Sequence, residues 1–185
     1  MAYKTLILLV GPSGSGKSTI AGELSKITGR KEVASYTTRP MRKGEVNGKG
    51  HIFLTDEEFD GIDPDEIAAY TLFNGYRYCT TNKVLEECGI YVIDKAGIES
   101  LKKRYTGAAK LFIAYVTANK SVLRKRMLER GDAPADVGKR LAHDKEAFDG
   151  TEKIADVLIR SDLYGPDVSA YIVLAEMLRK EKEAC

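Results

Sequence analysis

Short, continuous apolar runs alternate along the chain with longer stretches in which apolar residues recur every three or four positions. The continuous runs lie at residues 5–10, 89–94, 110–118 and 155–160. The stretches with helical spacing lie at residues 19–29, 81–88, 96–105, 120–130 and 166–182. Continuous apolar runs suit strands that are buried on both faces, and their alternation with helices is typical of parallel sheets. The pattern therefore predicts an α/β fold in which helices wrap a parallel central sheet.

Two more polar segments interrupt this alternation, one near residues 35–81 and the other near residues 131–149. No internal repeat or linker divides the chain, so we expect a single domain over residues 1–185. The core of this domain would comprise residues 1–34, 82–130 and 150–185. Because ligands bind at the carboxyl edge of parallel sheets, the two inserted segments are where we expect a ligand site.

The loop after the first apolar run, GPSGSGKST, fits the G-x-x-x-x-G-K-[ST] pattern of a phosphate-binding loop at every position. Its glycines let successive N–H groups face a phosphate, and the start of the following helix adds positive potential. We expect Lys17 to reach the outer phosphates of a nucleotide and the Ser18 hydroxyl to ligate Mg²⁺. A glycine-rich turn without a ligand is disfavoured, because a strand, the loop and a helix follow in the required order. The residues expected to bind the nucleotide are Gly11, Pro12, Ser13, Gly14, Ser15, Gly16, Lys17, Ser18 and Thr19.

Asp94 ends the second apolar run, at the usual position of the carboxylate that holds Mg²⁺ in phosphate-loop proteins. A strand-ending Asp is also a common helix cap or turn residue. The presence of the phosphate loop favours the metal role.

The composition narrows the class of protein. A chain of 185 residues with 43% hydrophobic residues can bury one substantial core. Its 29 basic and 27 acidic residues are scattered, so we do not expect a nucleic-acid partner. The longest aliphatic run, residues 6–10, is far shorter than a membrane span and no charged leader precedes it, so we expect a soluble, cytoplasmic protein without a membrane partner. Cys79, Cys88 and Cys185 have neither the number of a disulfide framework nor the spacing of a zinc site.

Short segments in and around the two insertions carry a more specific signal. They are SYTTRPMRKGEVNGKGHIF at residues 35–53, TDEEF at 55–59, YCTT at 78–81, and RGD and KRL at 130–132 and 139–141. Together with the phosphate loop, they resemble the guanylate kinase family over nearly the whole chain. The resemblance implies a phosphate-loop NTPase fold and phosphoryl transfer from MgATP to GMP, with ATP and Mg²⁺ as cofactors and small nucleotides as partners. It also implies that residues 35–81 bind the monophosphate and that residues 131–149 form a small lid.

In this family a Ser, two Arg and two Tyr grip the phosphate of GMP. Ser35, Arg39, Arg42 and Tyr78 match four of these positions, and His51 takes the place of the first Tyr. Two guanidinium groups can hold a phosphate dianion through paired hydrogen bonds, which agrees with this role. An imidazole can still donate to phosphate, although its reach and pH behaviour differ from those of Tyr.

The resemblance also assigns residues to the base and to the chemical step. Thr80 keeps the hydroxyl that contacts the base in relatives, and Arg130 and Arg140 match the lid arginines. The residues expected to act in catalysis are Lys17, Arg39, Arg130 and Arg140. His143 pairs with no nucleophile in the sequence and is expected to be an exposed helix residue.

The chain departs from the family where the base should be read. Ala69 stands where the family has a Glu that accepts hydrogen bonds from guanine, and Val92 replaces an acidic residue. If the alignment slips by one helical turn, Glu66 becomes the substitute carboxylate. Cys79 replaces a Gly, and Asp132 turns the family's RGT into RGD beside the lid. Because sites owe much of their discrimination to hydrogen bonds with charged acceptors, a weakened or altered guanine preference is expected.

Two alternatives remain open at this stage. One is a kinase of another nucleoside or deoxynucleoside monophosphate. The other is a guanylate-kinase-like binding module without catalysis, which the intact phosphate loop disfavours. A GTPase is disfavoured further, because the chain has no N/T-K-x-D motif for guanine. The sequence makes no prediction of the oligomeric state.

Overall fold

A computed structural model describes residues 3–42 and 44–183 of the chain. The strands are β1 (Thr5–Val10), β2 (Ser35–Thr37), β3 (His51–Phe53), β4 (Ile67–Phe73), β5 (Tyr76–Thr81), β6 (Ile90–Val92), β7 (Lys110–Thr117) and β8 (Val157–Arg160). The helices are α1 (Lys17–Thr28), α2 (Asp56–Asp60), α3 (Asn82–Glu87), α4 (Lys95–Arg104), α5 (Lys120–Glu129), α6 (Pro134–Ala147) and α7 (Pro166–Glu183). A short 3₁₀ turn covers Thr151–Lys153.

The central sheet has the strand order β6-β1-β7-β8, and all its neighbouring strands are parallel. Leu8 of β1 lies opposite Tyr91 of β6 on one side and Ile113 of β7 on the other. The predicted parallel sheet is therefore confirmed, and each of its strands comes from one of the continuous apolar runs. The strand predicted over residues 89–94 is shorter than expected, because Asp94 already caps the next helix.

The alternation of side chains along β1 separates two apolar clusters, one on each face of the sheet. Leu6, Leu8 and Val10 pack in the cluster that includes Ile98 and Leu101 of α4. On the opposite face, Ile7 and Leu9 pack in the cluster that α1 and α7 complete. All six residues of β1 are buried, which explains why residues 6–10 are apolar without interruption.

The polar segment at residues 35–81 contains a second sheet with the order β3-β2-β5-β4. Strands β2 and β3 are parallel, and the other two pairs are antiparallel. Asn74 and Gly75 join β4 to β5 with positive φ angles of 52° and 79°, the conformation that a two-residue type I′ hairpin needs. The second sheet is attached to the core mainly through β4, which packs against α4.

The polar segment at residues 131–149 is largely the helix α6, which begins with Pro134 at its first turn. Its apolar residues Val137 and Leu141 pack against Leu123 and Met127 of α5 in a third, smaller cluster. The segment is thus a helix on the edge of the core rather than a strand-and-helix unit. Within the described part of the chain, no helix has an apolar stretch long enough to cross a bilayer.

We expect Leu8→Ala to lower the free energy of unfolding by about 2–5 kcal/mol, because it leaves a cavity in the central strand. Leu8 is fully buried, whereas Leu163 is 65% exposed and provides the matched control. Leu163→Ala should change the unfolding free energy by no more than about 0.5 kcal/mol. Urea titration followed by circular dichroism measures both values, and equal effects would contradict the assignment of the core.

Candidate active site

The carboxyl ends of β1 and β6, the second sheet and the turn between α5 and α6 surround a cavity of about 840 Å³. Ligands in open parallel sheets bind at this edge, and the volume lies in the range of small-molecule sites. Among the described residues, five cationic side chains line the cavity. They are Lys17, Arg39, Arg42, Arg126 and Arg130. The concentration of positive charge indicates an anionic ligand.

The phosphate loop turns tightly between β1 and α1. Gly11 has a φ of +148°, and a Cβ on it would lie 2.0 Å from the carbonyl oxygen of Val116 on β7. Glycine is therefore required here, because the loop leaves the sheet in direct contact with the neighbouring strand. Gly16 is the N-cap residue of α1 and has left-handed backbone angles. The start of α1 and its N–H groups thereby face the cavity.

Lys17 folds back over this loop. Its ammonium donates to the carbonyl oxygens of Gly11 at 2.7 Å and Pro12 at 2.9 Å. Burial lowers the pKa of Lys17 to about 8, the charge of Asp144 opposes this shift, and the charge of Arg130 adds to it. The ammonium is therefore pre-positioned at the loop, next to a second cation from the end of α5.

Arg126 braces the phosphate loop from α5, a role that the sequence reasoning did not assign. Its guanidinium donates to the carbonyl oxygen of Gly14 at 3.3 Å and to the hydroxyl and carbonyl oxygens of Ser161 at 2.9 and 2.8 Å. Its i, i+4 spacing from Arg130 indicates only that both side chains lie on one face of α5, not that Arg126 contacts the loop.

Asp144 on α6 contacts the phosphate loop from the other side, and the sequence analysis assigned it no role. One carboxylate oxygen accepts from the backbone N–H of Ser13 at 2.7 Å. The side chain is almost fully buried, and its second oxygen has no hydrogen-bond partner among the described residues. Nothing in the spacing of the sequence connects residues 13 and 144, because the contact is 131 positions apart. The structure thus links the segment at residues 131–149 directly to the loop.

The residues that the resemblance assigns to the acceptor phosphate come together on the second sheet. Ser35, Arg39, Arg42, His51 and Tyr78 all line the cavity, opposite the phosphate loop. Ser35 is buried, and its hydroxyl donates to the hydroxyl of Tyr91 at 3.4 Å. The parallel pairing of β2 with β3 places Ser35 beside His51.

Glu45 holds Arg39 in place. The two ends of the guanidinium donate to the two carboxylate oxygens of Glu45 at 2.8 and 3.0 Å, and the group also lies 5.2 Å from the ring centroid of Phe53. The backbone N–H of Arg42 donates to the same carboxylate at 2.6 Å. Glu45 is a further functional residue that the sequence reasoning did not single out. Its contacts shape the loop that carries both arginines.

His51 is enclosed between Arg39, Arg42 and Tyr78. Its ring lies edge-on to Tyr78 at 5.7 Å, and its Nδ1 atom has no hydrogen-bond partner among the described residues. Burial lowers the pKa of His51 to about 4, and the charge of Arg39 contributes to the shift. The imidazole is therefore neutral at physiological pH in the free protein.

Arg130 and Arg140 meet at Asp132. Arg130 donates to the carboxylate at 2.6 Å and Arg140 donates to the same oxygen at 3.1 Å. Burial lowers the pKa of Arg42, and the charges of Arg39, Arg140 and Arg130 add to the effect. Arg42, in the loop after β2, is thus close enough to Arg130 at the end of α5 and to Arg140 on α6 for their charges to repel one another.

The residues expected to read the base lie apart from this charged region. Ala69 and Thr80 face each other in the ladder between β4 and β5, both are almost fully buried, and neither lines the cavity. The Thr80 hydroxyl has no hydrogen-bond partner among the described residues. Glu66 is exposed in the turn before β4 and also lies outside the cavity lining. The suggestion that Glu66 substitutes for the missing carboxylate therefore gains no support from its position.

Thr71 and Phe73, farther along β4, do reach the cavity, as does Val92. The Thr71 hydroxyl donates to Asp94 at 3.0 Å, and the other carboxylate oxygen of Asp94 accepts from the N–H of Gly97 at 2.6 Å as the N-cap of α4. Burial raises the pKa of Asp94. Asp94 is thus both the helix cap and a carboxylate of the cavity wall, so the two interpretations of the sequence are compatible.

His143 lies on α6 with its side chain 45% exposed. Its ring packs edge-on against Phe73 at 5.0 Å, and its Nδ1 atom lies 3.7 Å from Asp144. As predicted, it is an exposed helix residue.

A strand, phosphate loop and helix on a parallel sheet, with cations directed at the space above the loop, define a phosphate-loop NTPase fold. Comparisons with known proteins are more specific. The guanylate kinase family model matches residues 3–180. Guanylate kinase from Helicobacter pylori is 36% identical over 167 residues, which cover 85% of this chain and 80% of that protein. Guanylate kinase from Thermotoga maritima is 31% identical over 191 residues, with 96% and 82% covered. The chain belongs to the guanylate kinase family.

Solved structures agree on the fold. The crystal structure of guanylate kinase from Anaplasma phagocytophilum matches with a TM-score of 0.66 and 21% identity, covering 98% of this chain and 87% of that one. Shikimate kinase from Acinetobacter baumannii, in complex with shikimate, matches with a TM-score of 0.53 and 17% identity, covering 96% of each chain. At these identities the likeness concerns the fold alone.

We expect the imidazole of His51 to titrate with a midpoint near 4 in the free protein. The shift is downward because burial and the neighbouring arginines disfavour the charged form. Proton NMR of the ring C–H signals measures the midpoint, and the spectrum of His51→Gln assigns the signals. A midpoint near the ordinary value of about 6.5 would contradict the enclosed position of the ring.

Proposed function

We propose that the chain is a guanylate kinase, which transfers the terminal phosphoryl group of MgATP to GMP and yields ADP and GDP. The observation that most supports this proposal is that one cavity is lined by two groups of cationic and polar residues, each suited to bind an anion. The phosphate loop with Lys17 forms one side, and Ser35, Arg39 and Arg42 form the other. A phosphoryl donor and a phosphorylated acceptor bound at these sites would face each other across the cavity.

The loop would hold the donor through its backbone N–H groups and Lys17. In the free protein the ammonium of Lys17 donates to two loop carbonyl oxygens. A triphosphate offers stronger, charged acceptors in the same region, so the ammonium exchanges its loop contacts for phosphate oxygens. Burial of the ammonium makes this exchange favourable, because the incoming charge offsets the desolvation of the cation.

The cavity lining fits Mg²⁺. The Ser18 hydroxyl and the Asp94 carboxylate both line it and supply the oxygen ligands that Mg²⁺ prefers. Among the described residues, no cluster of three or more His, Cys, Asp or Glu side chains forms a cage for an ion. That donor set suits an ion held chiefly by nucleotide phosphates and water, with Ser18 and Asp94 at its edge. When bound, Mg²⁺ would neutralise charge on the donor phosphates.

The acceptor phosphate would bind between Arg39 and Arg42, with the hydroxyls of Ser35 and Tyr78 and the imidazole of His51 around it. Arg39 is held by Glu45 in a fixed orientation, so little side-chain entropy is lost when the phosphate arrives. The attacking group is a phosphate oxygen that is already largely ionised near neutral pH. No general base is needed, and the chain contributes positioning and positive charge.

Arg130 and Arg140 would supply the remaining charge from the segment at residues 131–149, which we propose as the lid. Residues 35–81 would form the acceptor lobe, and residues 1–34, 82–130 and 150–185 the core. The buried, free thiols of Cys79 and Cys88 suit a reducing compartment, so we place the protein in the cytoplasm. The proposed acceptor, GMP, would place it in purine nucleotide metabolism.

A kinase with another base preference is the second candidate. It is favoured by the position of Ala69, which lies in an apolar cluster, and by the exposed position of Glu66 outside the cavity. Four of the five residues expected around the phosphate match the family and His51 replaces the fifth, whereas Ala69 supplies no carboxylate for the base. Thr71 and Asp94 are polar groups that line this end of the cavity.

The purified protein is incubated with MgATP and, in separate reactions, with each member of a panel of nucleoside monophosphates. We expect ADP to form in the reaction with GMP. Turnover of GMP alone supports the first candidate, and faster turnover of another monophosphate supports the second. If no monophosphate is turned over while ATP still binds, the chain is a binding module and the enzymatic proposal fails.

Lys17→Ala should reduce kcat by roughly a hundredfold or more, because it removes a charge that stabilises the transferring phosphoryl group. Lys26→Ala is the matched control, since Lys26 lies on the same helix and forms an exposed ion pair with Glu23. The control should keep its activity, and circular dichroism should show that both variants fold. Equal activity of Lys17→Ala and the native protein would contradict the role of the loop.

A further inference from the structure

Asp132 is fixed beside two arginines by the way α5 ends. Gly131 has a φ of +94°, the N–H of Gly131 donates to Leu128 at 2.9 Å, and the N–H of Asp132 donates to Met127 at 3.1 Å. These two bonds form a Schellman motif, which reverses the chain direction directly after Arg130. The carboxylate of Asp132 is consequently turned back towards the end of α5.

The carboxylate bridges the two arginines through a single oxygen. Arg130 donates to Oδ2 at 2.6 Å and Arg140, from α6, donates to the same atom at 3.1 Å. Only 11% of the Asp132 side chain is exposed, so this bridge is shielded from water on most sides. Although burial opposes it, the hydrogen bond from Arg130 and the charges of Arg130, Arg140 and Arg42 hold the pKa of Asp132 below its usual value.

Asp132 also lines the cavity, together with Lys17, Arg42 and Arg130. Arg130 contributes to lowering the pKa of Lys17, so the guanidinium lies within electrostatic range of the phosphate loop. Asp132 and Arg130 thus line the same cavity as the phosphate loop, whereas Arg140 does not line it and is joined to it through Asp132. A carboxylate and a phosphoryl group present similar charged acceptors to an arginine.

We propose that Asp132 is an internal anionic ligand of Arg130 and Arg140 that competes with the phosphoryl group of the bound nucleotide. This inference rests on the proposed function, in which these arginines neutralise the transferring group. In the free protein the carboxylate keeps two partly buried cations paired. On nucleotide binding both arginines must exchange the Asp132 oxygen for phosphoryl oxygens, and Asp132 then stays nearby as a repelling charge.

The direction of the effect follows from this exchange. An interaction raises kcat/KM only if it is stronger in the transition state than in the free enzyme. Asp132 already contacts the arginines in the free enzyme, so the loss of that contact reduces the net stabilisation that they give to the transition state. A neutral residue of the same shape should therefore tighten nucleotide binding and raise the rate. If Asp132 instead serves to orient the arginines, the same substitution should weaken both, so the two roles predict opposite signs.

The test compares Asp132→Asn with Asp136→Asn, which removes one acidic charge from the exposed first turn of α6. Calorimetry gives the Kd for MgATP, and steady-state assays with GMP give kcat/KM. We expect Asp132→Asn to tighten MgATP binding and raise kcat/KM by about threefold to fivefold, the upper part of the range of a partly exposed ion pair. Asp136→Asn should change both by less than about twofold. An equal gain in the control, or no gain or a loss in Asp132→Asn, would overturn the proposal.

A double-substitution cycle distinguishes competition for the arginines from a general charge effect. In an Arg140→Ala background, Asp132→Asn should yield a clearly smaller gain in MgATP affinity, because one of the competing contacts no longer exists. An undiminished gain would contradict the proposal. Thermal melting checks that each variant folds, and Asp132→Thr provides a second neutral variant. Because the binding measurement needs no acceptor, a missing GMP activity would count against the proposed function and not against this inference.

Discussion

The convergence of like charges in one cavity is the constraint on which the rest of this structure depends. Lysine and arginine side chains from the phosphate loop, the second sheet and α5 line the same space, and their mutual repulsion adds to the desolvation that lowers the pKa of Arg42. Partners from the protein itself offset part of this repulsion. They are Glu45 for Arg39, Asp132 for Arg130 and Arg140, and loop carbonyl oxygens for Lys17. In the proposed function a phosphorylated ligand replaces some of these partners.

The fold explains how the cations are held against this repulsion. The buried strand β1 and its two apolar clusters fix the phosphate loop, and Gly11 leaves the sheet so close to Val116 that no side chain would fit. Arg126 and Asp144 then tie the loop to α5 and α6 by hydrogen bonds to its backbone. The second sheet packs on the core mainly through one strand, β4, against α4. The residues proposed to bind the acceptor are thus less firmly joined to the core than the phosphate loop is. Such an arrangement suits a reaction in which the acceptor must enter and leave.

The sequence predicted those features that depend on local pattern. The central strands followed from continuous apolar runs, and the phosphate loop followed from a motif with fixed spacing. The contacts of Arg126 and Asp144 could not be predicted in this way, because each depends on two elements more than 100 positions apart meeting at the loop. The Asn74–Gly75 turn was available as a hairpin signal and would have divided the polar segment into strands.

The base-reading end depends on a strand that the sequence analysis did not predict. The pairing of β4 with β5 shifts register between Ile67 and Ala69, and it is regular from Ala69 to Phe73. Ala69, Thr71 and Phe73 therefore share one face of β4, and of these three Thr71 and Phe73 line the cavity. The residues expected to contact phosphate stand in one short motif at residues 35–42, whereas the place of a residue on β4 follows only from the pairing of β4 with β5.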